Sequence, residues 1–191
     1  MTDQTRFDTG TGRPAYDHVA ISLHWATAAL VLFQFVTSFI WDDVAHDTRE
    51  SLERLHISFG VLLTAVILIR LIWRMMPAHQ VPSLETGWMR TASKSVHALL
   101  YLLLFVQAGL GLAMAWGAGH PLNLFGLGIP GPIGALGKPL RHEIHDIHEK
   151  VGYAIVILAA GHALAALYHH YVLKDGVLGR MLPWARTSVT D

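Results

Sequence analysis

Residues 151–172 read VGYAIVILAAGHALAALYHHYV, twenty-two positions without a single charged side chain but with three histidines. A hydrocarbon layer about 30 Å thick is crossed by roughly 20 helical residues at about 1.5 Å each, so this run is long enough to span a bilayer. Three further runs share that character: His18–Trp41, Ile57–Trp73 and Val96–Trp116. A backbone inside lipid must satisfy its own hydrogen bonds, which makes each run a helix. With flanks, the helices are expected at about 18–41, 52–75, 93–116 and 142–172. The fold class is therefore all-α, a transmembrane four-helix bundle, read as one membrane domain over residues 1–191.

Composition agrees. Of 191 residues, 52% are hydrophobic and 15% charged, with a mean hydropathy of +0.39. Lys plus Arg and Asp plus Glu both number 14, so no basic field exists to attract a polyanion, and nucleic acid is not an expected partner. The lipid bilayer is. There is no cysteine, which excludes disulfides, iron–sulfur clusters and thiolate ligation. Thirteen histidines remain as the obvious metal ligands.

Lys and Arg divide unevenly between the two sides. Nine (Arg6, Arg13, Arg70, Arg74, Arg90, Lys94, Lys174, Arg180 and Arg186) fall with the termini and the second connection. Five (Arg49, Arg54, Lys138, Arg141 and Lys150) fall on the opposite side. The positive-inside rule then places both termini in the cytoplasm of a bacterial inner-membrane protein. Residues 1–17 are polar, so the first helix is expected to serve as its own insertion signal. Asp47 followed by Glu50 predicts a capping box opening the second helix. The stretch 117–140, rich in Gly and Pro, predicts an irregular lid on the outer face.

Ionisable groups inside a span are costly and mark functional sites. A planar macrocycle held by a histidine lies along its helix, so the residue one turn on should be small. His56 precedes Gly60 in HISFG and His148 precedes Gly152 in HEKVG; His24 precedes Ala28 and His162 precedes Ala166. Depth supplies an independent filter. The 14 residues from His148 to His162 make about 3.9 turns, returning to nearly the same face about 21 Å deeper. Helix direction then sets His56 level with His148 on the periplasmic side, and His24 level with His162 on the cytoplasmic side. Paired imidazoles in a helical bundle are how b-type haem is held without covalent attachment, and no C-x-x-C-H is present. The alternative at each histidine is a hydrogen bond between helices.

Other signals carry less. HEIHDIHE (142–149) spaces its histidines at i, i+3 and i+6, which is not the zincin pattern; solvated helix-start residues or a surface metal site formed by His142 and His145 fit better. His97 suits an interhelical bond or a contact with a cofactor. Arg70 and Arg74 suit haem propionates or lipid headgroups.

The segments SLHW around His24, RLHISFG at His56, IHEKVGY at His148 and, above all, GHALAALYHHYVLKDGVLGRMLP (161–183) resemble the bacterial cytochrome b561 family, which includes superoxide oxidase. The resemblance covers nearly the whole chain. It implies two haem b groups, with His24, His56, His148 and His162 as axial iron ligands. It also implies electron exchange with ubiquinone beside the cytoplasmic haem, where His169 is placed. The expected activity is that of an oxidoreductase. It moves electrons from a periplasmic donor, superoxide, to ubiquinone, with Lys138 and Arg141 drawing the anion toward the outer haem. Two other functions stay open: a cytochrome b subunit serving a partner dehydrogenase or hydrogenase, and a haem-free, histidine-lined transporter. A haem count separates the transporter from the haem readings.

Overall fold

The computed structural model describes residues 16–83 and 85–182. Four long helices dominate: α1 (His18–Ile40), α2 (His46–Met75), α3 (Gly87–Gly117) and α4 (Lys138–Tyr168). All four are long and apolar enough to cross a membrane. Most of the large apolar side chains that remain exposed, such as Leu32, Phe39, Ile72 and Ile157, lie on these spans, where lipid rather than water is their solvent.

Short connections reverse the chain three times, so the start of α1, the end of α2, the start of α3 and the end of α4 share one end of the bundle. We call this the tail end and the opposite one the hairpin end. Asp17 caps α1 by accepting from the Ala20 N–H at 2.8 Å. It also accepts from the Trp73 indole N–H at 3.2 Å and meets His79 Nδ1 at 2.9 Å, tying α1 to the end of α2.

The α2 start departs from the expected capping box. The helix begins at His46 behind Ala45, which supplies no side-chain cap. Asp47 sits within the first turn, and Glu50 pairs along the helix with His46 at 3.3 Å and Arg54 at 3.4 Å. The exposed acidic stretch is helical earlier than expected because those pairs support an additional turn. α3 and α4 likewise start several residues before their apolar runs, α4 with Pro in its first turn.

The lid between α3 and α4 is more ordered than its glycines and prolines suggest. Leu122–Leu124 (β1) and Leu127–Ile129 (β2) pair antiparallel, Leu124 opposite Leu127. The intervening Phe125 and Gly126 both take positive φ, 49° and 93°, the two-residue turn that matches strand twist. Ser58 of α2, 2% exposed, pins this hairpin by donating to the Asn123 carbonyl at 3.2 Å and accepting from the Phe125 N–H at 3.0 Å.

The packed centre is small. Ile67, Leu104 and Ile155 form a buried cluster flanked by Val31, Leu63, Tyr101 and Val151. All four helices contribute, and the cluster lies between two polar layers, one toward each end.

Candidate functional site

At the hairpin end, α2 and α4 bring His56 and His148 together with ring centres 6.3 Å apart. At the tail end, α1 and α4 bring His24 and His162 to 6.5 Å. A metal–imidazole bond is about 2.0–2.1 Å, and a ring nitrogen lies about 1.1 Å from its ring centre, so two imidazoles sharing one metal stand about 6.3 Å apart. Both pairs have that separation, and the pairings are those the sequence predicts.

The surroundings of the hairpin-end pair prepare it for ligation. Thr37 Oγ1 meets His56 Nδ1 at 3.3 Å. The single hydroxyl hydrogen is directed to the Phe33 carbonyl at 2.9 Å, so the threonine oxygen accepts from His56 Nδ1–H. His56 Nε2 then keeps its lone pair for a metal. Among the described residues, His148 Nδ1 is buried with no hydrogen-bond partner. Gly111 of α3 gives that ring room, since a Cβ there would come within 3.3 Å of His148 Cε1.

Gly60 and Gly152 do something more specific than the spacing foretold. A Cβ on Gly60 would meet Gln34 Nε2 at 2.8 Å, and one on Gly152 would meet Gln107 Nε2 at 3.3 Å. Each glycine admits a glutamine from the neighbouring helix. Gln34 Nε2 donates to the His56 carbonyl at 2.9 Å, while the amide oxygens of both glutamines are buried and have no partner among the described residues. Orphaned polar atoms beside both histidines fit a polar-edged group placed between the helices.

The tail-end layer differs. Arg70 Nη2 lies 2.8 Å from His24 Nδ1. A guanidinium only donates, so His24 carries its hydrogen on Nε2 in this arrangement, and ligation through Nε2 requires Arg70 to turn away. Arg70 also lies over the Tyr101 ring at 5.5 Å. His97 of α3 stands 5.1 Å from His162, and its Nδ1–H donates to the Ser93 carbonyl at 2.8 Å. Sequence reasoning left Arg70 and His97 between two roles each and did not single out Gln34, Gln107, Thr37 or Ser58. The available signal was the ten-residue spacing of His24–Gln34, repeated by His97–Gln107.

The remaining candidates lie apart from these pairs. His169 begins a π-helical turn, His169–Leu173, closed by Lys174 at φ 52°. Its Nδ1 meets Asp175 Oδ2 at 2.5 Å. Lys138 and Arg141 occupy the exposed first turn of α4 at the hairpin end rather than the lid. His142 and His145 are exposed there too, at 3.9 Å and 3.8 Å from Asp146.

Four membrane-length helices with two histidine pairs define a class: multi-pass membrane proteins with paired imidazoles at two levels of a helical bundle. The family model described as prokaryotic cytochrome b561 matches residues 15–184, and the chain belongs to that family. It is 31% identical to cytochrome b561 homolog 2 of Escherichia coli over 176 residues, 87% of this chain and 90% of that one. It is also 31% identical to cytochrome b562 of Cereibacter sphaeroides over 178 residues, 90% and 98% of the two chains. With a probable superoxide oxidase, CybB, of Yersinia pestis it shares 26% identity over 175 residues, 90% and 97% of the two chains. Membership makes this a bacterial membrane oxidoreductase of the electron-transfer type, in a family that binds haem b.

Proposed function

We propose that the chain is a di-haem b cytochrome of the bacterial inner membrane, both termini cytoplasmic, that passes electrons from periplasmic superoxide to ubiquinone. The two histidine pairs at metal-sharing distance, 6.3 Å and 6.5 Å, carry this reading. His56 and His148 hold the outer haem, His24 and His162 the inner one. Bound there, haem iron supplies a one-electron carrier at each depth.

The chain's own residues supply the rest. Lys138 and Arg141 raise the local concentration of the superoxide anion at the mouth of α4. Thr37 keeps His56 in the ligand-competent tautomer. Arg70 and Arg74, one turn apart near the inner pair, neutralise the anionic edge of the group held there, and His24 is free to ligate while Arg70 is engaged with that edge rather than with its ring. His169, its Nδ1–H donating to Asp175, presents Nε2 as the proton-carrying atom beside the quinone. Two superoxide anions lose one electron each to become dioxygen, and ubiquinone takes the two electrons with two protons to become quinol. The similarity to the Yersinia pestis relative, a probable superoxide oxidase, supports superoxide as donor.

The test is pulsed superoxide added to purified protein with ubiquinone, following haem absorbance and quinol together. Quinol formed at half the superoxide consumed supports the reading; haem that stays oxidised when superoxide is pulsed without ubiquinone, or no quinol formed with it, rejects it.

A further inference from the structure

The bundle is built from one helical pair used twice. α1 packs chiefly on α2, and α3 on α4. On the first helix of each pair a histidine precedes a glutamine by ten residues, His24–Gln34 and His97–Gln107. On the second, histidine, glycine and a further polar residue follow at +4 and +14: His56, Gly60, Arg70 and His148, Gly152, His162. The contacts repeat as well, because Gln34 lies against Gly60 as Gln107 lies against Gly152. In this register His97 occupies the place of His24, and Arg70 occupies the place of His162. The tail-end layer therefore holds three imidazoles where one iron takes two.

We propose that His97 is an alternative axial ligand at the tail-end haem, exchanging with His24 opposite His162. The proposal rests on the haem reading above. Hydrogen bonding separates the two candidates. The Ser93 carbonyl can only accept, so His97 carries its hydrogen on Nδ1 and leaves the Nε2 lone pair free. Arg70 can only donate, so while it contacts His24 Nδ1 that ring carries its hydrogen on Nε2 and cannot ligate through it. His97 is thus the ligand-ready partner of His162 whenever Arg70 rests on His24. Its ring centre, 5.1 Å from His162, has to draw back by roughly 1 Å to admit iron. Once Arg70 turns to an anionic group, His24, already at 6.5 Å, becomes the ligand.

The experiment counts haem by pyridine haemochrome and reads spin state by electron paramagnetic resonance in the full-length protein. His24→Ala is expected to keep about two haems per chain, both six-coordinate and low-spin, while His24→Ala/His97→Ala keeps about one, the outer haem reporting that the bundle is folded. A five-coordinate or missing inner haem in His24→Ala, or a six-coordinate one in the double variant, overturns the proposal. A second measurement does not depend on how His24→Ala folds. The unaltered protein is expected to show two low-spin signals for the inner haem, and His97→Ala one; identical spectra overturn it. An unaltered protein without haem overturns the functional reading as well, which tells the two failures apart.

Discussion

His56 and His148 come from helices separated by the whole of α3, yet their ring centres stand 6.3 Å apart, with Thr37 holding the His56 ring at 3.3 Å through Nδ1. A pair at that distance acts as a unit: one imidazole without its partner leaves a bound iron five-coordinate and weakly held. His148→Ala is expected to lower haem content from about two per chain to about one, leaving the tail-end haem with an unchanged spectrum. Pyridine haemochrome analysis of the purified variant checks this. Retention of both haems at full occupancy contradicts the pairing.

Lys138 and Arg141 both stand exposed in the first turn of α4, at the end of the bundle that carries His148. Exposed cations act at range through a field that salt screens. Lys138→Glu/Arg141→Glu is expected to slow haem reduction by superoxide about tenfold at low ionic strength and to invert its salt dependence. Stopped-flow traces at two salt concentrations decide the matter, and equal slopes for variant and unaltered protein reject the role.

Asp175 lies 2.5 Å from His169 Nδ1 and fixes which ring nitrogen faces outward. Asp175→Asn keeps the shape but no longer holds the imidazole in that tautomer. Quinol formation is expected to slow by about 10²-fold, the scale of a lost general acid, while superoxide reduces the haems at the original rate. Equal losses in both half-reactions point to general disruption instead.

Ser58 holds the β-hairpin to α2 through two hydrogen bonds in a site 2% exposed. Ser58→Ala strips the Phe125 N–H of its acceptor, at a cost of about 1–3 kcal/mol. Faster amide exchange across 122–129, with α2 and α3 unchanged, is the expected signature. Unchanged protection of the hairpin argues against the pin.

Asp17 lies outside the spans, and its carboxyl is held below the ordinary value. Burial alone pushes it up, but the Ala20 N–H, the Trp73 indole and His79 together outweigh that. With the folded value below the unfolded one of about 3.9, the contribution to stability is complete above that pH. It is lost as pH falls through the lower, folded value. The melting temperature in detergent is expected to drop on this acid limb. Asp17→Asn should melt lower at neutral pH and vary less below pH ~4. Parallel curves for the two proteins contradict the linkage.

Much of the molecule is written locally. Apolar runs of span length dictate four helices, because lipid leaves a backbone no other way to satisfy its hydrogen bonds. The 14-residue interval from His148 to His162 places both rings on one face of α4, since 3.6 residues per turn brings that interval nearly full circle. What the sequence could not state is how the helices register against one another. Lipid is as apolar as leucine, so apolar faces alone do not set the register; close packing and a few polar contacts do. Gln34 against Gly60, Arg70 on His24, His97 beside His162 and Ser58 under the hairpin are contacts of that kind, each made between residues far apart in the chain. Length and periodicity thus determined the helices and the levels at which His24, His56, His148 and His162 stand. Only the tertiary structure decided that a third imidazole stands at the tail-end pair and that an arginine rests on the ring of its neighbour, because hydrogen-bond partners are chosen by proximity across helices and not by position along one.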